Sequence, residues 1–286
     1  MTRRFAQSRT GVDLDNKCSR PALTNTAKLE SVMPKITICI LTYGDYAHLA
    51  TRVIESVRGY CPRSEYKLIV GANAVGEQTL KYLDALRVNG AIDHLILSQA
   101  NLNQCPMMRQ MFLKVESKYI WWFDDDSYIT EPGAFRRWID CAEQAQERTV
   151  MWGPLAWCDH PLAFAPDLEN VSAFVRNAAW YRGLPPPSWR PGGKGEFNFN
   201  GRGTGDGRWI FIPGGCWLMR SSVIRVLDWP DRRLIKMGND VLLGEAIRQQ
   251  GWELENIGNA GVAINTEPRR GEAGSELVAP RLGLGG

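Results

Sequence analysis

The sequence lacks any cysteine arrangement that is typical of a zinc site or of a disulfide framework. Its 7 cysteines are an odd number, no two of them form a C-x-x-C pair, and their spacing fits no structural zinc motif. We therefore expect a reduced protein in the cytoplasm.

Long apolar runs are missing as well. The apolar run at residues 36–41 is too short to cross a bilayer, which takes about 20 apolar residues. The first 30 residues contain no apolar core of the kind found in signal peptides. We expect no membrane-spanning segment, which argues against a processive, membrane-embedded polymerase.

The chain has little excess charge of either sign and few histidines. With 34 basic and 31 acidic residues the net charge is +3, so the overall field favours neither nucleic acid nor an anionic membrane. The three histidines, His48, His94 and His160, have no ligand-like spacing, and we interpret them as structural or surface residues. Any basic binding surface must therefore be local.

Short apolar runs and helical patterns alternate from residue 35 onward. The predicted strands are residues 36–41, 67–71, 94–97 and 119–123, and the predicted helices between them are residues 46–58, 77–88 and 106–116. Further along, we predict helices at residues 134–147, 221–227 and 240–250, and strands at residues 149–153 and 209–220. This alternation indicates an α/β fold with a mostly parallel sheet flanked by helices.

Three stretches lack this regularity. Residues 1–33 are polar and irregular, which predicts a flexible N-terminal arm, and residues 267–286 are predicted to form a flexible tail. Residues 182–208 hold eight Gly and four Pro among 27 residues, which is typical of a long loop. We expect a single domain at residues 34–266 that contains this Gly/Pro-rich loop.

Three consecutive carboxylates follow a predicted buried strand. Asp124, Asp125 and Asp126 come directly after residues 119–123, and ligands of open α/β sheets bind beyond the carboxyl ends of the strands. In an extended chain Asp124 and Asp126 point to the same side, where two hard oxygen ligands suit Mg²⁺ or Mn²⁺. An acidic turn without a ligand is the alternative interpretation.

Two later segments can likewise be interpreted either as parts of a binding site or as purely structural features. Gly214 and Gly215 interrupt a strand-like run, which indicates either the close approach of a ligand or a bulge. Asp240 begins a predicted helix, where an Asp is either an N-cap or a catalytic group.

The order and spacing of these segments resemble the GT-A glycosyltransferases, particularly the family-2 type, over residues 35–265. Residues 36–44 are similar to the opening strand and nucleotide-contacting turn of that family, and residues 124–126 to its metal-binding D-x-D motif. Gly214–Gly215 are similar to the glycines at the acceptor side, and Asn239–Asp240 to an E-D pair whose Asp is the catalytic base. The resemblance implies a GT-A (Rossmann-like) fold.

The resemblance also implies two halves and four groups of site residues. Residues 34–130 would form the nucleotide-sugar half, and residues 131–266 the acceptor half. Asp124 and Asp126 would hold the metal, and Asp240 would be the catalytic base. The nucleotide-binding residues would be Thr42, Tyr43, Asn73, Arg109 and Asp125. The acceptor-binding residues would be Gly214, Gly215, Trp217 and Asn239, to which the basic and aromatic composition of residues 182–208 adds Trp189 and Arg202.

This sequence departs from the family pattern at three places. Asn73 stands where the family commonly has an acidic residue that recognises the nucleotide base, and Asn239 stands where it has Glu. No His follows His160, so the late His that completes the metal shell in some relatives is missing.

The activity implied by the resemblance is transfer of a sugar from a nucleotide diphosphate, first of all a UDP-sugar, to an acceptor hydroxyl with inversion at the anomeric carbon. Mn²⁺ or Mg²⁺ on the acidic residues would neutralise the departing diphosphate. Asp240 would deprotonate the attacking hydroxyl as a general base.

The acceptor is indicated by the composition of the Gly/Pro-rich loop. Residues 182–208 carry five basic and two acidic residues, so 5 − 2 = +3, together with Trp189, Phe197 and Phe199. Basic and aromatic residues together suit phosphate contact and base stacking. Residues 228–251 also resemble soluble members of the superfamily in phage-like settings, some of which glycosylate hydroxymethylated pyrimidines in DNA. A hydroxymethylpyrimidine in DNA is therefore the leading acceptor, and a glycan, lipid-linked or small-molecule acceptor is the alternative.

Two other classes of function stay open. A nucleotidyltransferase would also place carboxylates and a metal beside a sheet, but residues 42–46 lack the Gly-rich, Lys-containing phosphate loop that we would expect there. A non-catalytic module that binds sugar or nucleic acid is the second alternative, because Asn73 and Asn239 alter two family positions. The sequence predicts no oligomeric state.

Overall fold

A central sheet with helices on both faces organises the chain. The computed structural model describes residues 34–158, 171–184, 209–235, 238–264 and 266. The elements in chain order are β1 (Ile36–Tyr43), α1 (Ala47–Tyr60), β2 (Tyr66–Asn73), α2 (Glu77–Val88), β3 (His94–Ser98), α3 (Gln104–Phe112), β4 (Tyr119–Asp124), β5 (Tyr128–Ile129), α4 (Ala134–Gln144), β6 (Thr149–Gly153), β7 (Ala156–Cys158), α5 (Val171–Arg176), β8 (Trp209–Phe211), β9 (Cys216–Arg220), α6 (Ser221–Leu227), α7 (Asn239–Gln249), β10 (Glu253–Asn256) and β11 (Val262–Ala263).

Seven strands form the central sheet in the order β10-β6-β9-β4-β1-β2-β3. β1 pairs in parallel with β2 and β4, β2 with β3, and β10 with β6. β9 pairs antiparallel with both β4 and β6, so it is the reversed strand of an otherwise parallel sheet. The predicted α/β fold with a mostly parallel sheet is confirmed.

Alternation along β4 divides the core into two layers. Ile120 and Trp122 face one layer, which includes side chains from α3 and α7. Trp121 and Phe123 face the other layer, which includes side chains from α1 and α4. Both faces of β4 are buried, as expected for a strand in the middle of a parallel sheet covered by helices. The cysteines whose side chains are described are all free thiols.

Most predicted elements agree with the structure, and one predicted strand does not. The expected strand at residues 209–220 is two strands, because β8 pairs with β7 in a separate two-stranded sheet while β9 joins the central sheet. Pro213 has no N–H for a ladder, and Gly214 and Gly215 follow it, so the chain leaves one sheet and enters the other there. The strand β10 was not predicted, because its sequence Glu-Leu-Glu-Asn has no apolar run.

Several predicted segments lie outside the described residues. These are the arm at residues 1–33, the tail at residues 267–286 and residues 185–208 of the Gly/Pro-rich loop. No helix in the described ranges is long and apolar enough to cross a membrane.

Candidate active site

Many of the predicted site residues lie at one edge of the central sheet. The parallel strands β1, β2 and β4 end there, at Tyr43, Asn73 and Asp124. Because β9 is reversed, it begins at this same edge, so the glycines that precede it lie beside the end of β4. The Asp124 amide donates to the Gly215 carbonyl at 2.9 Å.

The three acidic residues form a turn, which we call the acid turn (residues 124–127). β4 ends at Asp124, and the Ser127 amide donates to the Asp124 carbonyl at 3.0 Å, which closes a four-residue turn. The alternation that we predicted for Asp124 and Asp126 therefore does not extend past the strand. Asp126 owes its direction to the turn and not to the pleat of β4.

Asp125 connects the acid turn to the first strand. It is 1% exposed, and its Oδ2 accepts the Tyr43 amide at 3.0 Å. The neighbouring Thr42 is also buried, and its hydroxyl donates to the Gly71 carbonyl at 3.0 Å. These contacts hold the ends of β1, β2 and β4 together, and contact of Thr42, Tyr43 and Asp125 with a nucleotide stays a prediction.

Asp124 and Asp126 are each held by groups that the sequence analysis missed. The indole Nε1 of Trp122 donates to Asp124 Oδ1 at 3.0 Å. The Asp126 carbonyl accepts the Thr266 amide at 3.2 Å and the Thr266 hydroxyl at 2.9 Å. Trp122 could have been found from its position two residues before Asp124 on the same face of the strand, whereas Thr266 carries no such signal.

The donor set of the acid turn suits a divalent ion only if other oxygens take part. Carboxylate oxygens from Asp124 and Asp126 are hard ligands of the kind that Mg²⁺ and Mn²⁺ prefer. In the part of the chain that the structure describes, no group of three His, Cys, Asp or Glu side chains could hold a metal ion. A bound ion would have to complete its shell with oxygens of another molecule, and phosphates are the usual source.

Asp240 contacts the first of the same two glycines. It is the second residue of α7, and amides of Val241, of Asp240 itself and of Gly214 donate toward its carboxyl group. The Val241 amide is 2.9 Å from Oδ1. Burial raises the pKa of the Asp240 carboxyl above its ordinary value, and the three amides oppose that rise without cancelling it.

The neighbours of Asp240 come from two helices. Asn239 is 7% exposed, and its Oδ1 accepts the Asp240 amide at 2.8 Å. Burial, followed by the charge of Asp240, raises the pKa of the Cys105 thiol on α3 to about 12. Gln104, which precedes Cys105, has its Nε2 at 3.7 Å from where a Cβ on Gly214 would lie. Gln104 is a further residue of this edge that the sequence analysis missed.

The structure thus brings three of the predicted groups together. Asp124 contacts Gly215 and Asp240 contacts Gly214, so the acid turn and the predicted base flank one dipeptide. A Cβ on Gly214 would meet no atom closer than 3.7 Å, so the structure leaves room for a small side chain there.

Other predicted site residues make their contacts within the protein. Asn73 is 2% exposed; its Nδ2 donates to Asn101 Oδ1 at 3.0 Å, and its Oδ1 accepts the Leu102 amide at 2.9 Å. Arg109 pairs with Asp228 at 3.1 Å and also donates to the Pro230 carbonyl. Their predicted contacts with a nucleotide stay predictions, but both side chains order loops.

Trp217 lies in the core and not in the cleft. It is 2% exposed, and its ring stacks on Trp122 with centroids 5.7 Å apart and planes at 9°. The ring has almost no exposed surface, and the predicted contact of Trp217 with an acceptor stays a prediction. Trp189 and Arg202, the two predicted acceptor contacts in the Gly/Pro-rich loop, lie outside the described residues.

Comparison with known proteins identifies the fold. No model of a protein family and no curated protein matches the sequence. The chain is similar to the solved structure of a mannosyltransferase from Pyrobaculum calidifontis in complex with GDP-Man and Mn²⁺, with 12% identity, a TM-score of 0.56, and coverage of 83% of this chain and 58% of that chain. It is also similar to S. aureus TarS 1-349, with 14% identity, a TM-score of 0.47, and coverage of 74% and 55% of the two chains.

The chain therefore spans a little more than half the length of these two solved chains. The likeness to the mannosyltransferase, together with the sheet order, shows that the chain has the GT-A glycosyltransferase fold.

Proposed function

We propose that this protein is a metal-dependent glycosyltransferase that moves a sugar from a nucleotide diphosphate to an acceptor hydroxyl, with inversion at the anomeric carbon. One observation carries the proposal. In a GT-A fold, the acid turn and Asp240 contact adjacent residues of Gly214–Gly215, at the sheet edge where α/β proteins bind ligands. These contacts support a diphosphate site at the acid turn with Asp240 as a neighbouring base for the hydroxyl.

Asp124 and Asp126 are the residues that would hold Mn²⁺ or Mg²⁺. A bound ion would act there as a Lewis acid on the diphosphate oxygens. The two carboxylates are too few to bind the ion alone, which suits a site that shares it with the donor. The mannosyltransferase that shares this fold was solved with GDP-Man and Mn²⁺, which supports the pairing of metal and nucleotide sugar.

Asp240 would take the proton from the acceptor hydroxyl. Inverting transfer needs a base on the face of the sugar opposite the leaving group. Asp240 contacts Gly214, and the acid turn contacts the adjacent Gly215. Burial raises the pKa of its carboxyl, which makes the carboxylate a stronger base than an exposed Asp. The amides of Val241 and Gly214 keep the group in place.

The proposal also names a donor and an acceptor. A UDP-sugar is the first donor candidate and a GDP-sugar the second. We propose a hydroxymethylpyrimidine in DNA as the acceptor, supported by the +3 charge and the aromatic residues of the sequence at 182–208. A glycan, lipid-linked or small-molecule acceptor is the alternative.

The donor experiment measures release of nucleoside diphosphate from a panel of UDP- and GDP-sugars with and without Mn²⁺. We compare wild type with Asp126→Ala, Asp240→Asn and the control Asp140→Asn, an exposed carboxylate on α4. Asp126→Ala should abolish the Mn²⁺-dependent release, and Asp240→Asn should reduce transfer about 10²–10⁴-fold with donor binding retained. Normal turnover by Asp240→Asn would refute its role as the base.

The acceptor experiment repeats the assay with hydroxymethylated DNA at rising salt. Stimulation by this DNA that weakens steeply with salt is the expected result, because phosphate contacts release counterions. Release of nucleoside diphosphate that DNA does not stimulate would refute the DNA acceptor and leave the sugar transfer intact.

A further inference from the structure

The hydrogen bond between Trp122 and Asp124 is a contact that the proposed chemistry does not yet use. Trp122 is 0% exposed, and its Nε1 donates to Asp124 Oδ1 at 3.0 Å. A buried N–H that lost its acceptor would cost free energy, and a Phe in the same place would fill the core without that demand. The N–H of Trp122 is therefore tied to the carboxylate at the end of its own strand.

The ring that carries this donor is held on its face and at its edge. Trp217, opposite Trp122 in the pairing of β4 with β9, stacks on it at 5.7 Å and 9°. Phe112 from α3 packs edge-on against Trp122 at 5.8 Å and against Trp217 at 6.4 Å. Because the three rings are buried together, the indole cannot turn without disturbing the core, and its N–H keeps one direction.

A carboxylate, by contrast, has a soft terminal torsion. The χ2 angle of an Asp is broad, so an Asp at the end of a strand can present its oxygens in many directions. In metal sites, groups behind the ligand restrict this freedom, and their loss typically lowers metal affinity about 10–100-fold. Trp122 is such a group behind Asp124, because its Nε1 donates to the Asp124 carboxylate.

We propose that Trp122 is a positioning residue whose indole N–H fixes the orientation of the Asp124 carboxylate for divalent-metal binding, with Trp217 and Phe112 holding the indole in place. This inference rests on the proposed function, in which Asp124 is a metal ligand. It gives Trp217 a part in the site through the core, because its ring stacks on Trp122.

The experiment measures Mn²⁺ binding directly, by calorimetry and by the electron paramagnetic resonance of free Mn²⁺, for wild type, Trp122→Phe and Trp121→Phe. Trp121 is a matched control: it is the adjacent residue on β4, it is also 0% exposed, and its side chain belongs to the opposite core layer, away from Asp124. Both variants lose the same atoms from the same strand, but only one of them loses a donor to Asp124.

We expect Trp122→Phe to raise the Kd for Mn²⁺ about tenfold, while Trp121→Phe stays within about twofold of wild type. Saturating Mn²⁺ should restore the kcat of Trp122→Phe, which a general loss of structure would not allow. Equal Kd values for the two variants, or a kcat that Mn²⁺ does not restore, would overturn the proposal.

A second variant guards against poor folding of Trp122→Phe. Trp217→Phe keeps the N–H of Trp122 but removes part of its stacking partner, so a smaller rise in Kd, about threefold, is expected. A wild-type Kd in a folded Trp217→Phe would count against the proposed support. Absence of Mn²⁺ binding in wild type would overturn the proposed function together with this inference, whereas failure of the inference alone leaves wild-type binding unchanged.

Discussion

Substitution of Gly244 by Ala tests whether the close approach of α7 to β8 sets the position of Asp240. A Cβ at Gly244 would lie 2.3 Å from the Ile210 carbonyl oxygen and 3.1 Å from the Cα of Phe211. Gly244 lies one helical turn after Asp240, on the same side of α7. The clash is with backbone, so a side-chain rotation cannot relieve it, and α7 must move.

The expected magnitude follows from these distances. Favourable contacts between heavy atoms begin near about 3.5 Å, so α7 has to move by about 1 Å. Overpacking costs up to about 3 kcal/mol, and Ala regains about 1 kcal/mol of helix propensity, which leaves a net loss of about 2 kcal/mol. For a chain of this size, that loss lowers the Tm by about 4–8 °C. A 1 Å displacement of a catalytic group can also cost about 100-fold in rate.

Thermal unfolding and nucleoside diphosphate release measure the two effects. Gly59→Ala is the matched control, because Gly59 is exposed near the end of α1 and a Cβ there meets no atom within 4 Å. It should leave the Tm unchanged or slightly raised, with normal activity. If Gly244→Ala unfolds at the same temperature as Gly59→Ala, the close approach does not hold α7, and the reasoning is wrong.

Two more variants test single side chains. Since burial raises the pKa of Asp240, the folded state binds more protons than the unfolded state between the two pKa values, and stability falls as pH rises through the folded pKa. Asp240→Asn should therefore have a higher Tm than wild type at pH 7, and melting curves at several pH values should show that this difference shrinks on acidification. On acidification, wild-type activity should be lost at a higher pH than it would be with an ordinary Asp as the base. An unchanged Tm would contradict the burial of this charge. Asn73→Asp places a carboxylate against Asn101 Oδ1 and should lose about 1–3 kcal/mol in urea unfolding, whereas wild-type stability would show that Asn73 does not hold the Asn101 loop.

The alternating half of the fold was predictable because its elements are encoded locally. The helix at residues 77–88 and the strand at residues 149–153 have the predicted bounds in the structure, since their apolar spacing is regular and turn residues flank them. The two-stranded outcome at residues 209–220 was not predictable in the same way. Pro213 and the glycines predict an interruption of the strand. That β8 and β9 belong to different sheets depends on their pairing partners, which lie far away in the sequence.

In the candidate site, residue types were predictable and their contacts were not. The acidic and glycine residues predict a ligand-binding edge of the sheet, and the structure brings these residues to the same edge. The burial of Trp217 depends on its register opposite Trp122, and the engagement of Asn73 depends on Asn101, 28 residues away. Both depend on packing between segments that are distant in the sequence, so local sequence patterns do not predict them.

The contacts of the acid turn have a consequence for the order of folding. Its Asp125 is bonded to Tyr43, 82 residues earlier, and its Asp126 to Thr266, 140 residues later. Contacts of such separation close large loops and form after local structure. A nascent or partly folded chain therefore contains all three carboxylates without their final arrangement, and the proposed site is complete only once Thr266 has docked onto the acid turn.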